Sequence, residues 1–115
     1  MPLVDVTHRD DLDDDQLELL AQELPDVVSR AVECPEEPYD GVLGSGDVEI
    51  RFRPRGPRDV SGLDVLVEVR SKWFASRESS RQERCDRLQR EITALLGALT
   101  VGVYLSLPVA AWSQT

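Results

Sequence analysis

The chain has 115 residues, 41% of them hydrophobic, and its 22 acidic against 13 basic side chains leave a net charge of −9. That describes one globular domain with room for a real core, not a disordered chain. The acidic balance gives nucleic acid no general attraction, no apolar run reaches the ~18 residues of a membrane span, and no secretory signal precedes the fold. The expectation is a cytoplasmic protein with neither a nucleic-acid nor a membrane partner.

Residues 2–7 alternate, with Val4 and Val6 on one side and Asp5 and Thr7 on the other, which predicts a strand at the extreme N-terminus. The strand opens on Pro2. With Met1 removed, Pro2 becomes a free secondary amine anchored at the head of a buried strand, able to act as general acid or base. With Met1 in place its nitrogen is a tertiary amide with no basic lone pair; a residue as small as proline at position two permits excision. His8 and Arg9 read as surface loop residues, with Arg9 a second-rank site candidate. A lone histidine excludes a multi-histidine metal site, and no metal or cofactor is expected.

The acidic run 10–15 reads as helix capping and favourable charge at a helix N-terminus. Leu17, Leu20, Leu24, Val28 and Ala31 recur at helical spacing, and Pro25 among them predicts a kink or a split. That helix should end near Glu33-Cys34-Pro35. Residues 35–46 form a loop, packed down by Tyr39, Val42 and Leu43. A strand follows at 48–53, a turn region at 54–62, and a strand from Leu63 to about Trp73. Ser79 with Gln82, or Ser80 with Glu83, offers a capping box for a helix through Cys85, Leu88, Ile92, Leu95 and Leu99. The last strand runs from Val101 to Leu107, closed by Pro108, with Trp112 in the tail. Cys34 and Cys85 lack metal-ligand spacing and read as small core hydrophobes.

The order is β-α-β twice, a pseudo-repeat over 1–56 and 62–108 within a single domain spanning 1–115. Crossover helices imply parallel pairing inside each unit, giving an α+β fold with a four-stranded sheet and two helices on one face. The other face then carries Asp5, Glu49, Arg51, Arg53, Glu68, Arg70, Tyr104 and Ser106. It is either a solvated lattice of weak ion pairs or a surface that meets copies of itself.

The Met1-Pro2 start before an apolar strand, the duplicated unit and the charged sheet face together resemble the tautomerase superfamily. Lys72-Trp73-Phe74-Ala75-Ser76-Arg77, with Ser80-Arg81-Gln82, is similar to the strand-to-helix junction of 5-carboxymethyl-2-hydroxymuconate isomerases. Val103-Tyr104-Leu105-Ser106 and Trp112 resemble the last strand and tail of the macrophage migration inhibitory factor group. The resemblance implies a homotrimer with sites at subunit interfaces, and a cofactor-free isomerase working on a small anionic enol or keto acid. Pro2 would move the proton and nearby arginines would hold the substrate carboxylate. Trp73 and Phe74 replace a glycine-rich junction and should narrow the pocket, and Ser106 replaces a larger amide.

The chemistry this asks for is coherent. An α-amino group titrates at about 8, and burial or neighbouring cations lower it. Arg70, Lys72 and Arg77 are placed by sequence to supply those charges, to attract an acid and to stabilise a forming enolate. Arg70 and Arg77 make better two-pronged carboxylate clamps than Lys72. The candidate catalytic residues are therefore Pro2, Arg70 and Tyr104, the last donated by a neighbouring subunit, with Arg77, Lys72, Trp73 and Ser106 as substrate contacts. A non-catalytic trimeric binding protein and a ferredoxin-like regulatory module are the alternatives; in the latter the two units interleave into an antiparallel sheet.

Overall fold

The computed structural model describes all 115 residues. Strand β1 (Leu3–His8) is followed by helix α1 (Asp14–Val32), a 3-10 turn (Pro38–Val42), β2 (Glu49–Pro54), β3 (Val65–Arg70), the short helix α2 (Ala75–Ser79), α3 (Arg81–Leu96) and β4 (Val101–Ser106). The sheet order is β2-β1-β3-β4. β1 pairs in parallel with β2 and β3 with β4, each across its crossover helix, while β1 and β3 meet antiparallel at the centre. The two units thus lie side by side. They do not interleave, which excludes the ferredoxin-like arrangement.

Period-two alternation assigns the faces. Val4 and Val6 of β1 and Val65, Val67 and Val69 of β3 are almost fully buried. They pack with Leu20, Leu24, Val27, Val28, Ala31 and Val32 of α1 and Leu88, Ile92 and Leu96 of α3 in one core. Both long helices cover that face, as the pattern predicts.

α1 begins where the acidic run places it. Asp13 caps it, its Oδ1 accepting from the Asp15 N–H at 3.0 Å, and Asp14 and Asp15 lie in the first turn. Pro25 does not split the helix, contrary to expectation: α1 runs unbroken across it. A mid-helix proline costs about 3 kcal/mol, but each fully buried aliphatic side chain contributes ~1.5–3 kcal/mol. Leu20, Leu24, Val27 and Val28 flank Pro25 on the buried face, so tertiary burial outweighs the lost backbone bond.

Three other expectations are corrected. The capping box does not form, because α2 already occupies Ala75–Ser79; the Ser80 hydroxyl instead donates to the Ser76 carbonyl (3.1 Å) and accepts from Arg84 Nε (2.9 Å). His8 is buried as the last residue of β1 rather than exposed in a loop, with Nδ1 2.7 Å from the Arg9 carbonyl oxygen. In the 35–46 loop only Leu43 packs inward, while Tyr39 and Val42 are exposed. Cys34 is buried, Cys85 half-buried, and both are free thiols. α3 stops at Gly97, whose φ of 71° suits a residue without Cβ.

Leu24 sits at 0% exposure in the middle of α1. Leu24→Ala is expected to lower unfolding free energy by about 2–5 kcal/mol, and the same truncation at exposed Val42 by under about 0.5 kcal/mol, measured by urea denaturation of both variants.

Candidate active site

Parallel pairing carries the starts of β1 and β2 to one end of the sheet, and the antiparallel centre brings the end of β3 there as well. Leu3 stands opposite Glu49 on one side and Arg70 on the other, and Arg70 opposite Ser106. Pro2 is buried at this end, its carbonyl accepting from the Glu49 N–H at 3.1 Å. Its two neighbours, Met1 and Leu3, line a cleft of about 370 Å³ whose other walls are Glu37, Arg70, Lys72, Pro108, Ala110, Ala111 and Trp112. The tail is pinned there by the Trp73 N–H, which donates to the Pro108 carbonyl at 2.8 Å.

Two of the cleft's three expected cations already have carboxylate partners. Arg70 Nη2 is paired with Asp5, whose other oxygen takes Arg51 Nε at 3.1 Å, so Asp5 bridges β2 and β3 across β1. Arg70 Nε is buried without a hydrogen-bond acceptor. Arg77 lies wholly inside the protein. Its Nε donates to the Val32 carbonyl (2.7 Å), Nη1 to the Lys72 carbonyl (2.7 Å), and Nη2 to Asp40 Oδ2 (2.9 Å) and Glu37 Oε1 (3.4 Å). It therefore stands behind the cleft wall and not in it. Lys72 makes no ion pair; its Nζ lies 5.5 Å from the Phe74 ring centroid, and the Arg77 guanidinium 5.3 Å from the same ring.

The structure brings Pro2, Arg70 and Lys72 to one end and leaves others outside. Trp73 is not among the cleft residues; the tail, not Trp73-Phe74, narrows the opening. Tyr104, 71% exposed on edge strand β4, lies two residues from Ser106 on the uncovered face. Neither lines the cleft. Arg9 is at the far end of β1, paired with Asp11 (3.0 Å) and Asp64 (2.9 Å).

Two carboxyl groups escaped the sequence reading. Glu37 lines the cleft, and Asp40 is buried behind it, both held by Arg77. Burial, the hydrogen bond with Glu37 and the charge of Glu37 push Asp40 up to about 6, against the pull of the N-terminal ammonium and Arg77. Burial works on Glu37 in the same direction, but there the hydrogen bond with Asp40, the charge and donor of Arg77 and the N-terminal ammonium prevail and hold it below the ordinary glutamate range. Their spacing of three in a Pro-initiated turn was the available signal.

No family model matches the sequence, nor does any curated protein. Solved structures do. A malonate semialdehyde decarboxylase, solved as wild type, as a mutant with its leading proline changed to alanine and in inactivated form, superposes with a TM-score of 0.68 at 18% identity, over 96% of this chain and 88% of that one. The chain has the tautomerase-superfamily fold. A 5-carboxymethyl-2-hydroxymuconate delta-isomerase shares this tautomerase fold at TM-score 0.62 and 13% identity, over 100% of this chain and 87% of that one. A fused 4-OT, a symmetric trimer, shares it at TM-score 0.61 and 18% identity, over 92% and 85%.

Within this tautomerase fold Arg77 is the side chain whose removal strands the most. Arg77→Met would leave Asp40 buried without its cation and is expected to cost about 3–5 kcal/mol. Arg81→Met, at an exposed side chain with a 3.9 Å pair to Glu78, should cost under about 1 kcal/mol; guanidinium unfolding of the two variants checks the contrast.

Proposed function

We propose that the protein is a cofactor-free enzyme that moves a proton between carbon and oxygen of a small carboxylated enol or keto acid. Pro2 acts as the acid–base group once Met1 has been removed. The observation that carries the reading is the position of Pro2, buried at the head of β1 beside a cleft bordered by Lys72 and Arg70. An amine fixed there meets the requirement of general acid–base catalysis that the proton carrier be held within reach of the reacting atom. Lys72, without a carboxylate partner among the ion pairs, is the cation available to take the substrate carboxylate, with the unpaired donors of Arg70 beside it. The same charges favour the negative oxygen of an enolate as it develops. The solved relatives, a decarboxylase and an isomerase by name, support this class of chemistry.

The assembly we propose is a homotrimer joined through the uncovered sheet face, where Asp5, Arg51, Glu68, Arg70 and Tyr104 stand outward. Edge strands β2 and β4 present unpaired backbone groups that a neighbouring copy would satisfy. Tyr104 would then reach the cleft of an adjacent subunit.

A second reading has its own observation. Met1 covers Pro2 and is itself a cleft wall, so a chain that keeps Met1 would be a binding protein for a small acid, with no basic nitrogen.

Intact mass of the native protein is expected to fall short of the encoded chain by one methionine residue. Pro2→Ala should lower kcat/KM for ketonisation of phenylenolpyruvate or 2-hydroxymuconate, followed in the ultraviolet, by about 10²–10⁴-fold; equal rates would remove Pro2 from the mechanism. Lys72→Ala should raise KM about 10- to 100-fold with a smaller change in kcat. Sedimentation velocity should show a trimer, and a stable monomer would contradict the shared site.

A further inference from the structure

α3 carries an arginine at every third position from Arg81 to Arg90. Residues three apart are neighbours on a helix surface. Arg84, Arg87 and Arg90 line one groove, of about 340 Å³, between α3 and the last turn of α1, and Arg30 of α1 faces them across it. Arg81 turns aside to Glu78 (3.9 Å). In a chain of net charge −9, four guanidiniums around one opening need a reason. The groove shares no residue with the cleft at the strand ends. It belongs to the helix layer, opposite the sheet face proposed to join subunits, so a trimer leaves it open.

Helix capping accounts for part of this charge. Arg84 Nε donates to Ser80 Oγ (2.9 Å) and Nη1 to the Ala31 and Glu33 carbonyls (3.0 and 2.7 Å), oxygens that α1 leaves without partners at its end. Its Nη2 approaches only the Ser76 carbonyl, at 3.5 Å. Every one of these acceptors is neutral, so no carboxylate stands against the charge of Arg84. Arg30 is answered by Asp26 (2.7 Å) and Glu91 (2.6 Å). Arg87 shares Glu91 through Nε (3.1 Å) and gives Nη1 to the Arg30 carbonyl (3.3 Å), which leaves both N–H groups of Nη2 free. Arg90 makes neither an ion pair nor a hydrogen bond. Two acids also border the groove, and neither pairs with an arginine. The Glu33 carboxylate lies beside Gly41 of the 3-10 turn, where an added Cβ would stand 3.6 Å from its Oε2. Glu83 is exposed.

We propose that this groove binds a phosphoryl group, with half-buried Arg84 at its floor and Arg87 and Arg90 as the forks that take its oxygens. A carboxylate is planar, and one guanidinium satisfies both of its oxygens. Free donors brought together from separate side chains suit a tetrahedral group instead, with three terminal oxygens and a charge of about −2 at neutral pH. Ala31 is the one apolar residue in the lining, and there is no ring to stack on. The ligand is therefore inorganic phosphate or a small phosphate ester; the base of a nucleotide would find no partner. Glu83 opposes the ligand and limits its affinity. Nothing in this inference depends on Pro2 or on the reaction proposed for the cleft.

The test is a titration of the full chain followed by NMR of its arginine Nε–H groups, with sodium phosphate or glycerol 3-phosphate exchanged for sodium chloride at constant ionic strength. The signals of Arg84, Arg87 and Arg90 are expected to shift and saturate together, while that of Arg58, exposed in the 56–62 connection, stays in place. Arg90→Ala should weaken binding about tenfold, and Arg58→Ala should leave it unchanged. Glu83→Gln should tighten it about two- to fivefold by removing the opposing charge. Arg90 and Glu83 are exposed and without partners, so neither substitution threatens the fold. Tighter binding of the ester assigns the groove to an organic phosphate, and equal or tighter binding of the inorganic ion assigns it to free phosphate. Shifts that never saturate, that sodium chloride alone reproduces, or that Arg58→Ala diminishes as much as Arg90→Ala overturn the proposal. So does citrate, if it binds more tightly than either phosphate.

Discussion

A guanidinium removed from water must find acceptors for its donors inside the protein, because an unanswered buried charge costs several kcal/mol. Arg77 meets that condition with four acceptors drawn from three segments. One is the carbonyl of Val32, in the last turn of α1, where helical carbonyls have no partner of their own. Another is the carbonyl of Lys72, in the link between β3 and α2. The last two are the carboxyls of the 3-10 turn. The first β-α-β unit is thereby fastened to the second at the end of the sheet where the chain starts. The Phe74 ring lies 5.3 Å from the guanidinium carbon and shields it further.

This constraint shapes the electrostatics of the cleft. A sequence with arginines near a strand end suggests a positive pocket, but the fold answers most of those charges locally. Asp5 takes two arginines from two neighbouring strands, and the turn carboxyls take a third. What remains is one lysine and one half-exposed glutamate, a bipolar opening with an apolar tail on its far side. Such an opening presents both signs of charge to whatever enters it.

The architecture was legible because it depends on periodicities. Val4 and Val6, then Val65, Val67 and Val69, mark the buried sheet face, and Leu17 to Ala31 mark the helix above it. Pro2, Arg70 and Lys72 were readable for the same reason, since the strand ends that carry them coincide once the pairing is right. The rest depends on contacts between segments far apart in sequence. Little that is local says that Arg77 turns inward: three of its four partners lie 37 to 45 positions away. Glu37 and Asp40 looked like ordinary loop acids until the turn was seen folded against α2. His8 was misplaced because a polar residue at a strand's end reads as loop, whereas its position in the alternation set it on the buried side. Pro25 shows the limit of local propensity, since burial on both sides carries α1 through it.

The cleft is also where both ends of the polypeptide meet: Met1 forms one wall and Trp112 another. A tag or fusion partner joined at either end would sit on the opening, the N-terminal one beside Met1 and the C-terminal one by crowding the tail. The exposed connection from Gly56 to Gly62, at the opposite end of the sheet beyond β2, is the position from which this molecule can be tethered or labelled with its cleft left clear.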